Sequence, residues 1–526
     1  MRDMMMNRRR LLAGLAYAVG GLAAASCSRE PSTGATSTSA APQIPFDPHV
    51  FTEKTATIAT SAGDTTVLYR FYGPLTYVAN PVDPDYQSLV ISVPTEIDGR
   101  PVDPAKAPIV FANSVGGYMP ASVKDADGVG ASQMAGGPPP GAAAPANPAG
   151  EVQSGGSAML DARGGMVNLA QLAVAAGYVA IEPGCRGRTL TNARSEYYGT
   201  APAAIVDLKA AIRFVRSHAD VIPGDTDHIV STGTSAGGAL SALLGASGDS
   251  PVYDRYLAEL GAAEASDAVF ASADWCPITN LEHADAAYEW NWGANPLQAG
   301  GQADQAVSLA LRQQFGGYQD SLKLNGRNNF GPLLAANYDR YLLDMYLRPA
   351  ATDYLAKLSD SDRATYLAEN PFISWSGDDA TFTWSDFLGH VGARKKSAPA
   401  FDAFDLSTGE NNLFGSGTTK ARHFTAYAAA NNPGGAVTLD ADIPGLLDLM
   451  NPMHHLDRND VSVAPHWWIR LGTKDTDTSL TVSANLTAKV AATGADVSHL
   501  MYWDEGHGAN SDAADFIAWI ASIAKR

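Results

Sequence analysis

The stretch "HIVSTGTSAGGALSALLGAS" (residues 228–247) restricts the fold more than any other part of the chain. A β-branched, apolar run leads directly into G-T-S-A-G, and a helical pattern of small residues follows it. A strand that turns within a few residues into a helix is typical of a mostly parallel sheet covered by helices. Gly233 and Gly237 suit such a turn, because it brings backbone segments close together.

The same alternation of strand and helix patterns continues through the chain. It predicts an α/β fold with a doubly wound, mostly parallel sheet, built from residues 46–276 and 451–526. Strand signals are weak between Pro277 and Met450, where aromatic and polar helical patterns dominate, so residues 277–450 are predicted to be a mainly helical inserted lid. Residues 126–152 are rich in Gly, Ala and Pro without an apolar period, which predicts a disordered insertion.

The N-terminal 27 residues predict an export signal. Arginines at 8–10 precede an apolar run from Leu11 to Ala25, which is too short to span a bilayer comfortably, and the pattern resembles a twin-arginine signal. The small residues before Cys27 leave two interpretations, a lipoprotein box acylated on Cys27 or an ordinary cleavage site. The Ser/Thr-rich segment 28–45 favours the first as a flexible tether. We therefore expect an exported protein at the periplasm or cell surface, attached to the membrane through a lipid on Cys27 or otherwise secreted.

Charge and cysteine content exclude several kinds of partner. The net charge is −19, from 36 Lys and Arg against 55 Asp and Glu, and without a basic stripe nucleic acid is not an expected ligand. Beyond Cys27 the chain has Cys185 and Cys276, which either pair or remain free buried thiols. Cys and His do not occur at metal-ligand spacing, so we expect neither a metal nor a cofactor.

The G-T-S-A-G motif offers Ser235 as a nucleophile, the alternative being a serine that only caps a helix. A serine hydroxyl needs a base and a group that orients the base, and in α/β hydrolases the acid and the histidine follow the serine along the chain. His507, in "DEGHGAN" after the last strand pattern, meets this requirement, whereas His499 falls inside that strand. Asp475, in "GTKD" after the preceding strand pattern, is the expected acid.

An oxyanion hole requires backbone N–H groups from the residue after the serine and from an early strand–loop junction. Ala236 would supply the first. The Gly-rich loop "NSVGGYM" (113–119) would supply the second from Gly117, with Gly116 as a neighbouring candidate. An ordinary glycine turn is the alternative interpretation of this loop.

Five stretches of the chain resemble the bacterial tannases, which are tannin acyl hydrolases that cleave gallate esters. They are "GTSAGGALSALLGASGDSP", "CPITNLEHADAAYEW" (276–290), "PAFDAFDLSTGENNLFG" (399–415), "GTKDTDTS" and "EGHG". The resemblance extends over most of the chain beyond the export signal. It implies an α/β-hydrolase core with an inserted lid, and a triad that would fall on Ser235, Asp475 and His507.

The resemblance also implies how the galloyl hydroxyls are held. Lys396 and Glu410 from the lid and Asp477 from the loop of the triad acid would bind them, although Arg394 and Lys395 allow the lysine to be one or two positions earlier. If the loop is locally extended, residues two apart project to the same side, so both aspartates would face one cleft.

The predicted function is hydrolysis of galloyl esters by a serine esterase through a galloyl-enzyme intermediate, with a small phenolic ester as the partner. A feruloyl or general aromatic carboxylesterase is the first alternative. A non-catalytic lipoprotein that binds polyphenols is a more remote one, which the complete order of serine, acid and histidine disfavours.

Overall fold

A ten-stranded sheet is the central layer of the computed structural model, which describes residues 44–134, 158–160 and 166–525. The strands, in chain order, are β1 Thr52–Thr60, β2 Gly63–Thr76, β3 Ser88–Ile97, β4 Arg100–Pro101, β5 Pro108–Ala112, β6 Ala121–Ser122, β7 Gln133–Met134, β8 Ala158–Leu160, β9 Met166–Asn168, β10 Val179–Pro183, β11 Asp225–Thr234, β12 Ala271–Trp275, β13 Asn325–Gly326, β14 Gly331–Pro332, β15 Ser374–Ser376, β16 Asp379–Thr381, β17 His466–Gly472 and β18 Asp496–Tyr502.

The order of the central sheet is β1-β2-β3-β10-β5-β11-β12-β17-β18, with the short β4 paired to β3. The pairings from β1 to β10 are antiparallel, and those from β10 through β5, β11, β12 and β17 to β18 are parallel. Every residue of β5, β10 and β12 is buried, as expected for parallel strands covered on both faces. The predicted α/β fold with a mostly parallel sheet is confirmed.

Helices flank the sheet and fill the segment between β12 and β17. In chain order they are α1 Leu169–Ala175, α2 Ala203–Ser217, α3 Ala236–Ala246, α4 Asp254–Glu259, α5 Leu281–Trp292, α6 Gln305–Ser321, α7 Tyr338–Leu342, α8 Arg348–Lys357, α9 Asp360–Glu369, α10 Trp384–Val391, α11 Gly409–Leu413, α12 Ala426–Ala430, α13 Ile443–Met450, α14 Pro452–His455, α15 Leu480–Ala492 and α16 Ala513–Ile523. Shorter turns of 3₁₀ helix at Pro251–Tyr253 and Ala335–Asn337, and of π helix at Leu343–Leu347, supplement them.

Residues 277–450 contain α5 to α13 and two small hairpins, so this part of the chain is mainly helical. Many of its buried side chains, Tyr338 and Phe387 among them, belong to the same hydrophobic core as those of the central strands. Trp292 of α5 also donates a 2.7 Å hydrogen bond to the carbonyl of Thr478, two residues before α15. The insertion therefore packs directly on the sheet-bearing part, and the domain boundaries drawn from the sequence stay a prediction.

Two segments that the sequence predicts to be disordered or flexible include residues that are folded in the structure. Val129 is buried, and its N–H donates to the Tyr69 hydroxyl at 3.1 Å, so the disorder predicted from residue 126 is wrong for 126–134. Ile44, placed at the end of the tether, is also buried. Residues 135–152 of the insertion, the export signal, most of the tether and Cys27 lie outside the described residues. Among the helices that are described, none has the length and apolar character required to cross a membrane.

Candidate active site

The turn between β11 and α3 holds Ser235 in an unusual backbone conformation. Ser235 has φ 59° and ψ −121°, a region that L-residues rarely adopt and that costs of order 1–3 kcal/mol. Its N–H donates to the carbonyl of Trp275 on β12 at 2.9 Å, and its own carbonyl accepts from Ala239 in α3 at 2.9 Å. The sheet and the helix together fix this conformation, and the predicted strand–turn–helix geometry is present.

Close packing at this turn explains the two glycines of the motif. A Cβ at Gly233 would lie 2.2 Å from the carbonyl oxygen of Gly237, and one at Gly237 would lie 2.6 Å from Asn113 Oδ1. Asn113 follows β5 and donates from Nδ2 to the carbonyls of Thr232 (2.8 Å) and Gly237 (3.1 Å). The serine turn is thereby joined to the loop after β5.

Asp475 and His507 form a direct pair. Nδ1 of His507 and Oδ2 of Asp475 are 2.8 Å apart, and the carboxylate is fully buried while the imidazole keeps a small exposed fraction. Burial by itself would lower the pKa of His507, but the nearby Asp475 carboxylate, assisted by Cys276, holds that pKa well above its usual value. The pair has the arrangement by which an acid fixes the tautomer of a catalytic base.

Two consecutive residues, Trp275 and Cys276, contact the serine turn and the histidine respectively. The sulfur of Cys276, the residue after β12, lies 3.8 Å from His507 Nε2, while the preceding Trp275 accepts the hydrogen bond from the Ser235 backbone. Among the described residues, no hydrogen bond joins Ser235 Oγ to the imidazole. Such contacts are often long before substrate binds. Cys276 and Cys185 are both buried free thiols, so the two do not pair.

The loop after β5 places the expected oxyanion donors beside the serine turn. Gly117 is exposed with φ 53°, which favours glycine, and Gly116 is buried and accepts a 2.9 Å hydrogen bond from Met119 N–H. Ala236, the first residue of α3, is buried. These positions agree with the donors that the sequence predicts, and their roles stay predictions.

Asp477 is mostly withdrawn from bulk solvent, and it lies near enough to His507 for the two charges to interact. Lys395 Nζ lies 3.2 Å from its carboxylate, and the Asp477 side chain is 18 % exposed. Burial opposes ionisation of this carboxyl, but the charges of His507, Lys395 and Lys396 outweigh it and lower its pKa. The loop is not extended as the sequence suggested. It forms turns in which Asp475 Oδ1 accepts the Asp477 N–H at 3.0 Å, and this bond, rather than strand periodicity, fixes how the two carboxylates sit.

The lysine segment and the aspartate loop are joined through α5. The hydroxyl of Tyr288 donates to the carbonyl of Thr476 at 2.7 Å and accepts the N–H of Lys396 at 3.1 Å. Lys395 is the lysine in direct contact with Asp477, whereas Lys396 Nζ lies 3.7 Å from the ring centroid of Phe401. Both cations are therefore at this edge of the site.

Glu410 lies in α11 and faces the loop after β5. Tyr118 has its pKa raised by burial and, in addition, by the negative charge of Glu410. Arg188 connects the same elements, since Nε donates to the carbonyl of Gly117 (2.7 Å) and Nη1 donates to Asn412 Oδ1 (2.9 Å). Glu410 thus lies near the loop that carries the expected oxyanion donors, whereas Asp477 lies on the loop of Asp475, the partner of His507.

Two features of the site were not apparent from the sequence. One is the contact between Cys276 and His507, which are 231 residues apart and carry no shared motif. The other is Asp504, whose carboxylate contacts His390 of α10, Tyr366 of α9 and Lys474, the last at 3.0 Å. The sequence offered one hint, which is that the acidic Asp504 lies three positions before His507. Nothing nearby in the sequence identifies the residues that Asp504 contacts.

The chain is similar to one protein-family model and to solved structures of tannin acyl hydrolases. A family model described as BD-FAE matches residues 160–310. The chain is similar to the crystal structure of Fusobacterium nucleatum tannase, with a TM-score of 0.75 and 33 % identity over 92 % of this chain and 99 % of that one. It is also similar to a tannin acyl hydrolase in complex with ethyl gallate, with a TM-score of 0.74 and 33 % identity over 91 % of this chain and 99 % of that one.

A curated relative matches over a shorter stretch. Esterase LipC of Mycobacterium tuberculosis (strain ATCC 25618 / H37Rv) is 40 % identical over 86 residues, which is 16 % of this chain. The chain spans about a fifth of the length of the curated esterases that it matches.

Proposed function

The chain belongs to the tannin acyl hydrolase family, and from this membership we propose that it is a serine esterase that releases gallate from galloyl esters. As a member of this family it is a carboxylic ester hydrolase that acts on aromatic esters. The serine mechanism and the galloyl substrate are the parts that we propose. The observation that carries them is that a single loop supplies both Asp475, paired with His507, and Asp477, a mostly buried carboxylate that contacts Lys395 and interacts electrostatically with the same imidazole.

In the proposed reaction Ser235 Oγ attacks the ester carbonyl and His507 Nε2 takes the hydroxyl proton. The imidazolium, stabilised by Asp475, then protonates the leaving alcohol as the galloyl-enzyme forms. Backbone N–H groups of Ala236 and of Gly117, or its neighbour Gly116, hold the carbonyl oxygen while it carries negative charge. A water molecule that loses its proton to His507 cleaves the acyl-enzyme, and the imidazolium returns a proton to Ser235.

Recognition of the acyl group is proposed to depend on charged groups at two edges of the site. Asp477 and Lys396 would meet the galloyl hydroxyls from the histidine side, and Glu410 would meet them from the side of the oxyanion loop. A ring without hydroxyls withholds the hydrogen bonds that these charged groups would make with a galloyl ring, which supports selectivity of about 10⁴, whereas an apolar slot supplies only about 10- to 200-fold per group. The ethyl gallate bound by a related tannin acyl hydrolase is consistent with this substrate class.

The proposal is tested by hydrolysis of methyl gallate, methyl ferulate and methyl benzoate. We expect a strong preference for gallate in the parent enzyme, a selective loss of that preference in Asp477→Asn, and no turnover of any ester in Ser235→Ala. Lys396→Met should reduce the preference more than Lys395→Met, which serves as the matched lysine control. Comparable parent rates on benzoate and gallate would contradict hydroxyl recognition, and a faster reaction with ferulate would favour the feruloyl esterase alternative.

A further inference from the structure

Cys276 occupies a position that the proposed esterase reaction does not use. Its sulfur lies 3.8 Å from Nε2 of His507, the nitrogen that must accept the serine proton. The ligand-type atoms of Cys276, His507 and Asp475 all lie within 4.8 Å of one another. Cys276 is 1 % exposed, so its thiol is directed into this cluster rather than into solvent.

The backbone fixes the thiol in this place. Cys276 directly follows β12, and its N–H donates to the carbonyl of Arg470 on the neighbouring β17. Trp275, one residue earlier, accepts the N–H of Ser235. The sulfur is therefore held between the serine turn and the histidine loop by the ladder of the central sheet.

We propose that Cys276 and His507 form a binding site for a borderline or soft divalent cation of the Zn²⁺ class, and that the bound cation inhibits the esterase. With a Zn–S distance of about 2.3 Å and a Zn–N distance of about 2.05 Å, an ion bonded to both atoms across the observed 3.8 Å subtends an angle of about 120°. This angle is close to the tetrahedral value that Zn²⁺ adopts. The two atoms thus need to move little to share an ion.

The Asp475 carboxylate completes the arrangement from behind the ring. Metal-bound histidines usually give their other ring N–H to a carboxylate, a backbone carbonyl or water, which fixes the tautomer and directs the free lone pair to the ion. His507 Nδ1 has this partner in Asp475 at 2.8 Å, so Nε2 is presented toward the sulfur. Two protein ligands are fewer than the three of catalytic and the four of structural zinc sites, so we expect reversible binding.

Binding forms a Zn–S bond and a Zn–N bond, displaces two waters from the hydrated ion and releases to solvent the thiol proton together with any proton that His507 carries on Nε2. No electron is transferred. Nε2 then has no lone pair with which to accept the proton of Ser235. The inhibition rests on the proposed function of His507, whereas the cation binding does not.

The test uses the Cys27→Ser protein as the background, and a chelator first removes bound metal from it. This background protein is compared with Cys276→Ala, Cys276→Ser and Cys185→Ala, each made in the same background. Cys185 is the matched control, because it is also a buried free thiol. Titration with Cd²⁺ is followed by thiolate-to-metal charge-transfer absorbance and by proton release. Titration with Zn²⁺ is followed by methyl gallate hydrolysis, with each variant normalised to its own metal-free rate.

We expect one saturable absorbance band in the background protein and in Cys185→Ala, and none in either Cys276 variant. The Zn²⁺ concentration for half inhibition should rise at least about tenfold in both Cys276 variants, since loss of an orienting partner alone costs 10- to 100-fold in affinity. A chelator should restore the rate. Absence of the band from the background protein, its persistence in Cys276→Ala, or unchanged Zn²⁺ inhibition in that variant would overturn the proposal. The absorbance tests binding even if methyl gallate is not a substrate.

Discussion

Replacement of Glu289 by Gln should reveal how the lysine segment of the site is anchored. Arg394 Nη1 donates to Glu289 Oε2 at 2.7 Å, Nη2 donates to the other carboxylate oxygen, and both side chains are fully buried. The same guanidinium donates from Nε to the Lys396 carbonyl (2.8 Å) and from Nη2 to the Ser397 carbonyl (2.9 Å). Glu289 of α5 therefore fixes Arg394, and Arg394 fixes the backbone around the two lysines.

The magnitude follows from the burial of this pair. Glu289→Gln leaves the Arg394 cation buried without a counter-charge, which costs about 3–5 kcal/mol of the free energy of unfolding. With an unfolding entropy of about 2.1 cal/mol/K per residue over roughly 450 described residues, this loss lowers the thermal midpoint by about 3–5 °C. Loosening of Lys396, whose carbonyl Arg394 holds, should also remove about 1.5–3 kcal/mol of charged hydrogen bonding, or about 10- to 150-fold in preference for gallate over benzoate.

The assay is thermal unfolding followed by circular dichroism, together with kcat/KM for methyl gallate and methyl benzoate. Asp344→Asn is the matched control, since it removes the same charge from a 2.7 Å pair with Arg348 whose side chains are about one-third exposed. Pairs of that kind contribute about 0–1 kcal/mol, so its midpoint should change by about 1 °C or less. A Glu289→Gln midpoint no lower than that of the control would refute the buried-charge argument. A lowered midpoint with unchanged preference would show that the lysines do not need this anchor.

Two further substitutions test the loops on either side of the site. Asp504 loses a proton readily because its hydrogen bonds to His390 and Tyr366 and the charge of Lys474 outweigh its burial and lower its pKa from 3.8 to about 2. The unfolded chain therefore binds the proton first as pH falls. The stability advantage of the parent over Asp504→Asn should be complete above about pH 4 and lost toward pH 2, and urea midpoints along a pH series that show a constant difference would contradict this. Gly237→Ala places a Cβ 2.6 Å from both Asn113 Oδ1 and the Val115 carbonyl oxygen. We therefore expect the free energy of unfolding, measured with urea, to fall by about 1–3 kcal/mol, and most of the esterase activity to be lost. Gly317→Ala in α6, with nothing within 4 Å of its Cβ, should be neutral or stabilising, and equal effects of the two substitutions would exclude crowding as the cause.

The parts of this protein that the sequence predicts are those encoded in continuous stretches. Ile205, Leu208, Ile212 and Val215 recur at helical spacing on one face of α2, and all four are fully buried, as is most of this helix. The turn at Ser235 is likewise local, since its glycines and its flanking strand and helix all lie between Asp225 and Ala246. The period of the apolar residues and the steric requirement for glycine are sufficient to predict such elements.

The remaining features depend on contacts between distant segments. Arg394 appears in the sequence as one of three consecutive cations, and nothing in that run distinguishes the residue that is fully buried from Lys395, which is exposed. Its counter-charge, Glu289, lies 105 residues earlier on α5. The disorder predicted from residue 126 failed for a similar reason, because Val129 is ordered by Tyr69 of β2. Composition describes a segment but not the surface on which it packs.

The position of α5 links catalysis to acyl recognition. We expect the two to change together when the backbone is perturbed, and separately when a single side chain is replaced. This helix begins five residues after Cys276, and its Tyr288 hydroxyl bonds both the Asp475–Asp477 loop and the lysine segment. Asp475 and Asp477 share that loop, so a shift of its backbone displaces the partner of His507 along with the proposed acceptor of a phenolic hydroxyl. Such a shift slows the hydrolysis of every ester. Removal of the Asp477 charge alone leaves the pair of Asp475 and His507 in place, and it therefore lowers the preference among acyl groups more than the rate on an ester that lacks hydroxyls.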